Sequence, residues 1–231
     1  MEFRTWEPVY EALLDSFGYP RAGDERARDR LEGLLGDRST YSPEELSLTG
    51  TTVAIAGAGP SLEADIERAD RADRVLAAST ATDRLREAGV AVDAMVTDLD
   101  KNPETGRALT HEGTPVFVHA HGDNVPAVES AVPTYDAEFV IPTTQAAPTE
   151  RVHNFGGFTD GDRAAFAADH FGADELRFVG WDFDDPTVTP EKAQKLRWAE
   201  RLLAWLERRR GERFGVLDGR RDALEPLPGT E

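Results

Sequence analysis

The chain has 231 residues, no cysteine, 26 Lys plus Arg against 44 Asp plus Glu, and a formal net charge of −18. That length suits one α/β domain with a small appendage rather than two enzyme domains. The charge argues against nucleic-acid or anionic-membrane partners, and the lack of cysteine excludes disulfides, zinc–thiolate sites and thiol nucleophiles.

Lysine occurs only at Lys101, Lys192 and Lys195, so arginine carries nearly all the positive charge, and the acidic residues are scattered throughout. This pattern suits a protein bathed in molar salt, where the screening length falls to roughly 3 Å. Glu2, Glu7, Glu11 and Asp15 interrupt the N-terminus, which therefore lacks the basic start and apolar stretch of a signal peptide. No apolar run approaches the roughly 18 residues of a membrane span. A soluble cytoplasmic protein with no membrane partner is expected.

In chain order, residues 6–17 and 24–36 read as two amphipathic helices, the second with Leu31, Leu34 and Leu35 at helical spacing. A third short helix is expected from Ser42, with Pro43 at its first position and Glu45 completing a capping box. Together these form an N-terminal helical segment, 1–48. Six short apolar runs follow, at 51–57, 74–79, 93–98, 115–120, 138–142 and 176–182, most of them separated by helical stretches. Apolar strands alternating with helices predict an α/β domain over 49–218, with a largely parallel, Rossmann-like sheet covered on both faces. Thr189–Arg210 reads as a long helix with Pro190 in its first turn, 214–218 as a possible final strand, and 219–231 as a loosely held polar tail.

The polar clusters richest in Asp, His and Gly come directly after apolar strands, where parallel α/β sheets bind ligands. After the first strand, Gly57, Gly59 and Ser61 lead into a helix, which suits either a phosphate cradle or a tight turn without ligand. The dinucleotide-binding pattern fails, because Leu62 stands where a small residue is wanted and no acid ends the second strand; a Gly-Lys P-loop is also absent. After the third strand, Asp98 and Asp100 are two residues apart, and continued strand geometry would aim both at one hard cation. The fourth loop holds His119, His121, Asp123 and Asn124, suited to a transition metal or to hydrogen bonds with phosphate or substrate. Gly157, Thr159, Asp160, Asp162 and Arg163 surround a helix start, which either caps the helix or faces a metal-bound nucleotide. Trp181 beside Asp182 ends the last strand and suits a flat heterocycle, or the core.

These five motifs, in this order over about residues 45–210, resemble the archaeal 6-hydroxymethyl-7,8-dihydropterin pyrophosphokinases, the MptE-like proteins. The resemblance implies transfer of pyrophosphate from ATP to a reduced hydroxymethylpterin, giving the pterin diphosphate and AMP on the route to folate or methanopterin. Thr97-Asp98-Leu99-Asp100 and Thr159-Asp160-Gly161-Asp162-Arg163 are also similar to the acidic motifs of thiamin pyrophosphokinases, although Lys101 and the His-rich fourth loop depart from them. On these resemblances Asp98, Asp100 and Asp160 are expected to hold Mg²⁺, and His121 or Asp123 to act as base. Gly57, Gly59, Ser61, His119, Asn124, Gly157, Thr159, Asp162, Arg163 and Asp182 are expected to contact nucleotide or pterin, with Asp182 on the pterin edge. The rival readings are a nucleotide-binding sensor without turnover, a thiamin pyrophosphokinase-like enzyme and a glycosyltransferase-like enzyme. A homo-oligomer is compatible with the sequence.

Overall fold

A computed structural model describes residues 1–230. Six strands, β1 (Thr52–Ala56), β2 (Arg74–Ala78), β3 (Ala94–Thr97), β4 (Val116–Ala120), β5 (Val140–Thr144) and β6 (Glu175–Val179), form one sheet in the order β5-β4-β3-β2-β1-β6. Every pairing is parallel. The six apolar runs thus become the six strands, and the expected α/β class holds.

Side chains alternate across a strand, and both faces of this sheet are buried. Val53 and Ile55 of β1, Leu76 of β2, Val96 of β3 and Phe178 of β6 belong to one core. That core is covered by α1 (Phe3–Phe17), α7 (Asp160–His170) and α8 (Pro190–Arg210). The alternate residues face the other way. Ala54, Ala56 and Ala77 meet α3 (Leu62–Asp70) and α4 (Ala81–Glu87), while Met95, Val116 and Val118 meet α2 (Arg21–Leu35), α5 (Pro103–His111) and α6 (Val125–Ala131).

The order of the sheet accounts for this division. Four successive right-handed steps from β1 to β5 place α3–α6 on one face, and the return to β6 carries α7 across the other face over β1, β2 and β3. β1 therefore stands where the chain's direction of travel reverses, and its carboxyl end opens a crevice.

The N-terminal helices share these cores. Trp6, Val9, Tyr10, Leu13 and Leu14 bury one stripe of α1 in the same cluster as α7 and α8, with Trp6 stacked 6.4 Å from Trp205. Such side chains contribute roughly 1.5–3 kcal/mol each on burial. Both helices start three residues before their expected positions, α1 continuing through Pro8.

Other expectations need correction. The helix expected from Ser42 is a single 3₁₀ turn, Pro43–Glu45, and Ser42 donates its hydroxyl to Glu44, not to a capping box with Glu45. Residues 214–218 form no strand: Gly215–Leu217 is a 3₁₀ turn whose Phe214 and Leu217 are buried and whose Phe214 amide donates to Glu207. Two buried apolar anchors three residues apart suit a turn against β6 better than an extended edge. The tail is also held, because Leu227 is buried and Arg201 donates to the carbonyls of Glu225 and Pro226 at 3.1 and 3.0 Å. Among the described residues no helix is long and apolar enough to cross a membrane.

Candidate functional site

The carboxyl ends of the strands line a crevice of about 560 Å³, within the usual range for small-molecule sites. A smaller cavity of about 370 Å³ runs along β6. Its four arginines, Arg68, Arg71, Arg177 and Arg213, each pair with a carboxylate, so their charge is already spent.

One wall is built from the turns after β1 and β6. Gly57 donates to the Val179 carbonyl at 2.9 Å and Gly59 to the Gly180 carbonyl at 2.9 Å. A Cβ on Gly57 would stand 2.6 Å from the Gly180 oxygen, and one on Gly59 would overlap the Asp182 carboxylate. Both glycines line the crevice, yet the close approach of these two turns already requires them. Asp182 Oδ2 accepts from the Ser61 amide at 2.9 Å and its hydroxyl at 2.7 Å, so Asp182 fastens the start of α3. Trp181 lines the crevice too, with its indole N–H donated to the Ile55 carbonyl at 3.0 Å.

The acidic centre forms after β3. The strand ends at Thr97, so strand alternation is not what brings Asp98 and Asp100 together. Leu99, buried and at φ 67°, makes a left-handed turn between them, and its amide donates to Thr97 Oγ1 at 2.9 Å. A bulky residue in that conformation costs about 1–3 kcal/mol and persists only where its surroundings enforce it. Burial disfavours the Asp98 charge, but the facing His121 and Asp100 side chains and the Arg163 charge outweigh it, holding its carboxyl well below the usual range. Asp100 bears the opposite consequence: burial and Asp98 push it up to about 6. Asp160, at the first position of α7, is pushed up to about 8 by burial and then by Asp98. The Arg163 guanidinium 3.0 Å away offsets only part of this, and 13% of the Asp160 side chain stays open to solvent.

His121 faces this centre, its Nε2 3.7 Å from Asp98 Oδ2. Asn124 holds the His121 loop against β3, its carbonyl oxygen accepting from the His121 amide and its NH₂ donating to the carbonyls of Asp98 and His119, both at 2.7 Å. His119 is buried behind the wall, with Nδ1 3.1 Å from Thr143 Oγ1 and its pKa depressed well below the ordinary value by burial and then by Arg163. Gly157, at φ 92°, packs so closely on α7 that a Cβ would stand 2.6 Å from Arg163 Cα. Asp162 is fully buried and reaches back to the amides of Phe158 and Thr159 and the Thr159 hydroxyl.

Of the residues expected from sequence, the crevice brings together Gly57, Gly59, Asp98, Asp100, His121, Asp123, Thr159, Asp160, Arg163 and Asp182. Ser61, His119, Asn124, Gly157 and Asp162 stand behind it, spent on the turns and caps that shape it. Sequence reasoning missed the lysines: Lys101, Lys192 and Lys195 all line the crevice. Their rarity in an arginine-rich chain was the available signal. Only Lys195 has an ion-pair partner among the described residues, Glu191 at 3.0 Å. Gln145, also missed, accepts from Arg163 Nη2 at 3.2 Å.

Asp98, Asp100 and Asp160 offer a hard cation only oxygen donors. Among the described residues no group of three or more His, Asp or Glu is arranged to cage a metal unaided. A hard cation that keeps water and substrate oxygens in its shell needs only one or two protein carboxylates.

Residues 38–187, more than half of the chain, match the family described as 6-hydroxymethylpterin diphosphokinase MptE-like. The chain belongs to this family. MptE-like relatives named 6-hydroxymethyl-7,8-dihydropterin pyrophosphokinase occur in Methanothermobacter thermautotrophicus, 36% identical over 90% of this chain and 96% of the relative, and in Pyrococcus furiosus, 37% identical over 90% and 95%. A third, from Methanocaldococcus jannaschii and of the same name, is 29% identical over 90% and 96%. Among solved structures, the MAf glycosyltransferase of Magnetospirillum magneticum aligns with a TM-score of 0.45 at 23% identity, over 74% of this chain and 29% of that one.

Proposed function

We propose that this MptE-like chain transfers the pyrophosphoryl group of ATP to 6-hydroxymethyl-7,8-dihydropterin, releasing AMP, in the cytoplasm. The observation that carries the reading is the convergence of Asp98, Asp100 and Asp160 with Lys101, Lys192 and Lys195 in one crevice at the carboxyl ends of the strands. Three carboxylates that repel one another and three lysines in the same crevice suit a polyphosphate accompanied by a divalent metal. The names of the curated relatives supply the acceptor.

Mg²⁺ held by Asp98 and Asp100, with Asp160 beside them, would neutralise phosphate charge and orient the chain of phosphates. The lysines would hold the phosphate oxygens as mobile point charges, and the Gly57–Gly59 turn would take the nucleotide side. The acceptor hydroxyl attacks the β-phosphorus; its new O–P bond forms as the bond from that phosphorus to the α–β bridging oxygen breaks, and AMP departs with that oxygen. His121 takes the hydroxyl proton, its Nε2 lying 3.7 Å from Asp98 Oδ2. Positioning and electrostatics supply most of the acceleration in such transfers.

The test is chromatography of a reaction containing ATP, Mg²⁺ and 6-hydroxymethyl-7,8-dihydropterin in molar KCl. AMP and pterin diphosphate should rise in equal amounts. ADP as the stoichiometric product would refute the transfer chemistry, and nucleotide binding without acceptor-dependent turnover would favour a sensor.

A further inference from the structure

Asp24 lies in the first turn of α2, outside the span that matches the family, and keeps only 3% of its surface exposed. Three donors converge on it. Tyr10 donates its hydroxyl to Oδ2 at 2.7 Å, Gln145 donates its NH₂ to the same oxygen at 2.9 Å, and the Gly122 amide donates to Oδ1 at 2.8 Å. A buried carboxylate met by three donors is a fixed point, since losing a partner would strand a charged group or a donor.

Two of the three bonds lead into the crevice. Gly122 sits between His121 and Asp123, both on the crevice wall. Gln145 accepts from Arg163 Nη2 at 3.2 Å, and Arg163 Nη1 donates to Asp160 Oδ1 at 3.0 Å. One carboxylate on an N-terminal helix therefore sets both the His121 loop and the guanidinium that pairs with Asp160. Backbone packing reaches the same place independently. A Cβ on Gly23 would stand 3.3 Å from Gly122 Cα, and a Cβ on Gly122 would stand 3.2 Å from Gly23 Cα.

We propose that Asp24 is a positioning residue for the transfer, holding His121–Asp123 and, through Gln145, the Arg163–Asp160 pair, so that the N-terminal helices are a working part of the active site. The proposal rests on the pyrophosphoryl-transfer reading above. Tyr10 provides the internal comparison, because it donates to the same carboxylate but does not line the crevice.

Asp24→Asn and Tyr10→Phe are compared by thermal melting, by steady-state kinetics per folded molecule, and by amide hydrogen exchange over residues 119–126. Tyr10→Phe should melt lower yet keep kcat within about twofold, whereas Asp24→Asn should lose at least about tenfold in kcat with the nucleotide KM within about threefold. Exchange at 121–124 should accelerate about tenfold or more in Asp24→Asn alone. An Asp24→Asn enzyme that keeps its kcat, or loses no more than Tyr10→Phe, overturns the proposal. If Asp24→Asn does not fold, Gly23→Ala, which presses on the same loop without changing charge, should lower kcat about threefold or more at an unchanged melting temperature, and normal kcat overturns the proposal. A wild-type enzyme without turnover would instead defeat the transfer reading. Hydrogen exchange then decides by itself, and unchanged protection of the Gly122 amide overturns the positioning role.

Discussion

Asp160 is maintained at a cost to the fold. A carboxyl raised to about 8 binds more protons folded than unfolded, where its pKa is about 3.9. The sign follows: its burden on stability is absent below pH 4, grows as pH rises, and is fully present above about pH 8. Asp160→Asn keeps an acceptor for Arg163 and removes the charge. Without Mg²⁺ it should stabilise the protein by roughly 1–3 kcal/mol at pH 8, with little gain near pH 4, and turnover should fall at least about a hundredfold. Melting curves at the two pH values, alongside kinetics, check both halves, and a gain independent of pH would contradict the account.

At the scale of elements, the site depends on two turns pressed together. Gly59→Ala places a methyl group against the Asp182 carboxylate and 2.7 Å from the Gly180 oxygen. The turns after β1 and β6 must then separate, at about 1–3 kcal/mol. Denaturant unfolding should detect that loss, and a wild-type midpoint would mean the turns are less constrained than their packing indicates. The strands were legible in the sequence because a parallel sheet buried on both faces demands apolar runs, and Val53-Ala54-Ile55 or Val116-Phe117-Val118 have no other use. Their ends were less legible. β6 stops at Val179 because Gly180 turns at φ 68°, and β5 starts at Val140 because Ala137–Phe139 coils into a 3₁₀ turn capped by Asp136. Asp98 and Asp100 were paired for the wrong reason, since nothing local reveals that Leu99 adopts a left-handed conformation. Ser61, His119, Asn124, Gly157 and Asp162 were read as ligand contacts because spacing finds the right loop without telling its inner face from its outer one. Asp24 and Gln145, 121 residues apart, meet only in the folded chain.

For the molecule as a whole, the charge of −18 must be carried by a compact body, and the crevice itself has six aspartates against three lysines and one arginine. Self-repulsion of that kind is relieved by screening. The melting temperature should therefore rise by about 10 °C or more from dilute buffer to molar KCl, and an unchanged value would show that the surface ion pairs already balance the excess acid. All-parallel topology explains why loops distant in sequence met at all, since it sends every strand's carboxyl end to the same edge of the sheet.

The confinement of Lys101, Lys192 and Lys195 to one crevice also changes how the protein meets reagents that attack primary amines. Apart from the α-amino group of Met1, beside His170, every amine of the chain borders the proposed active site, while the remaining surface presents guanidinium groups that such reagents leave largely untouched. Modification at lysine, whether by acylation, reductive methylation or coupling, would thus amount to active-site chemistry, and a tag or solid support attached by that route would sit across the mouth that substrates must enter.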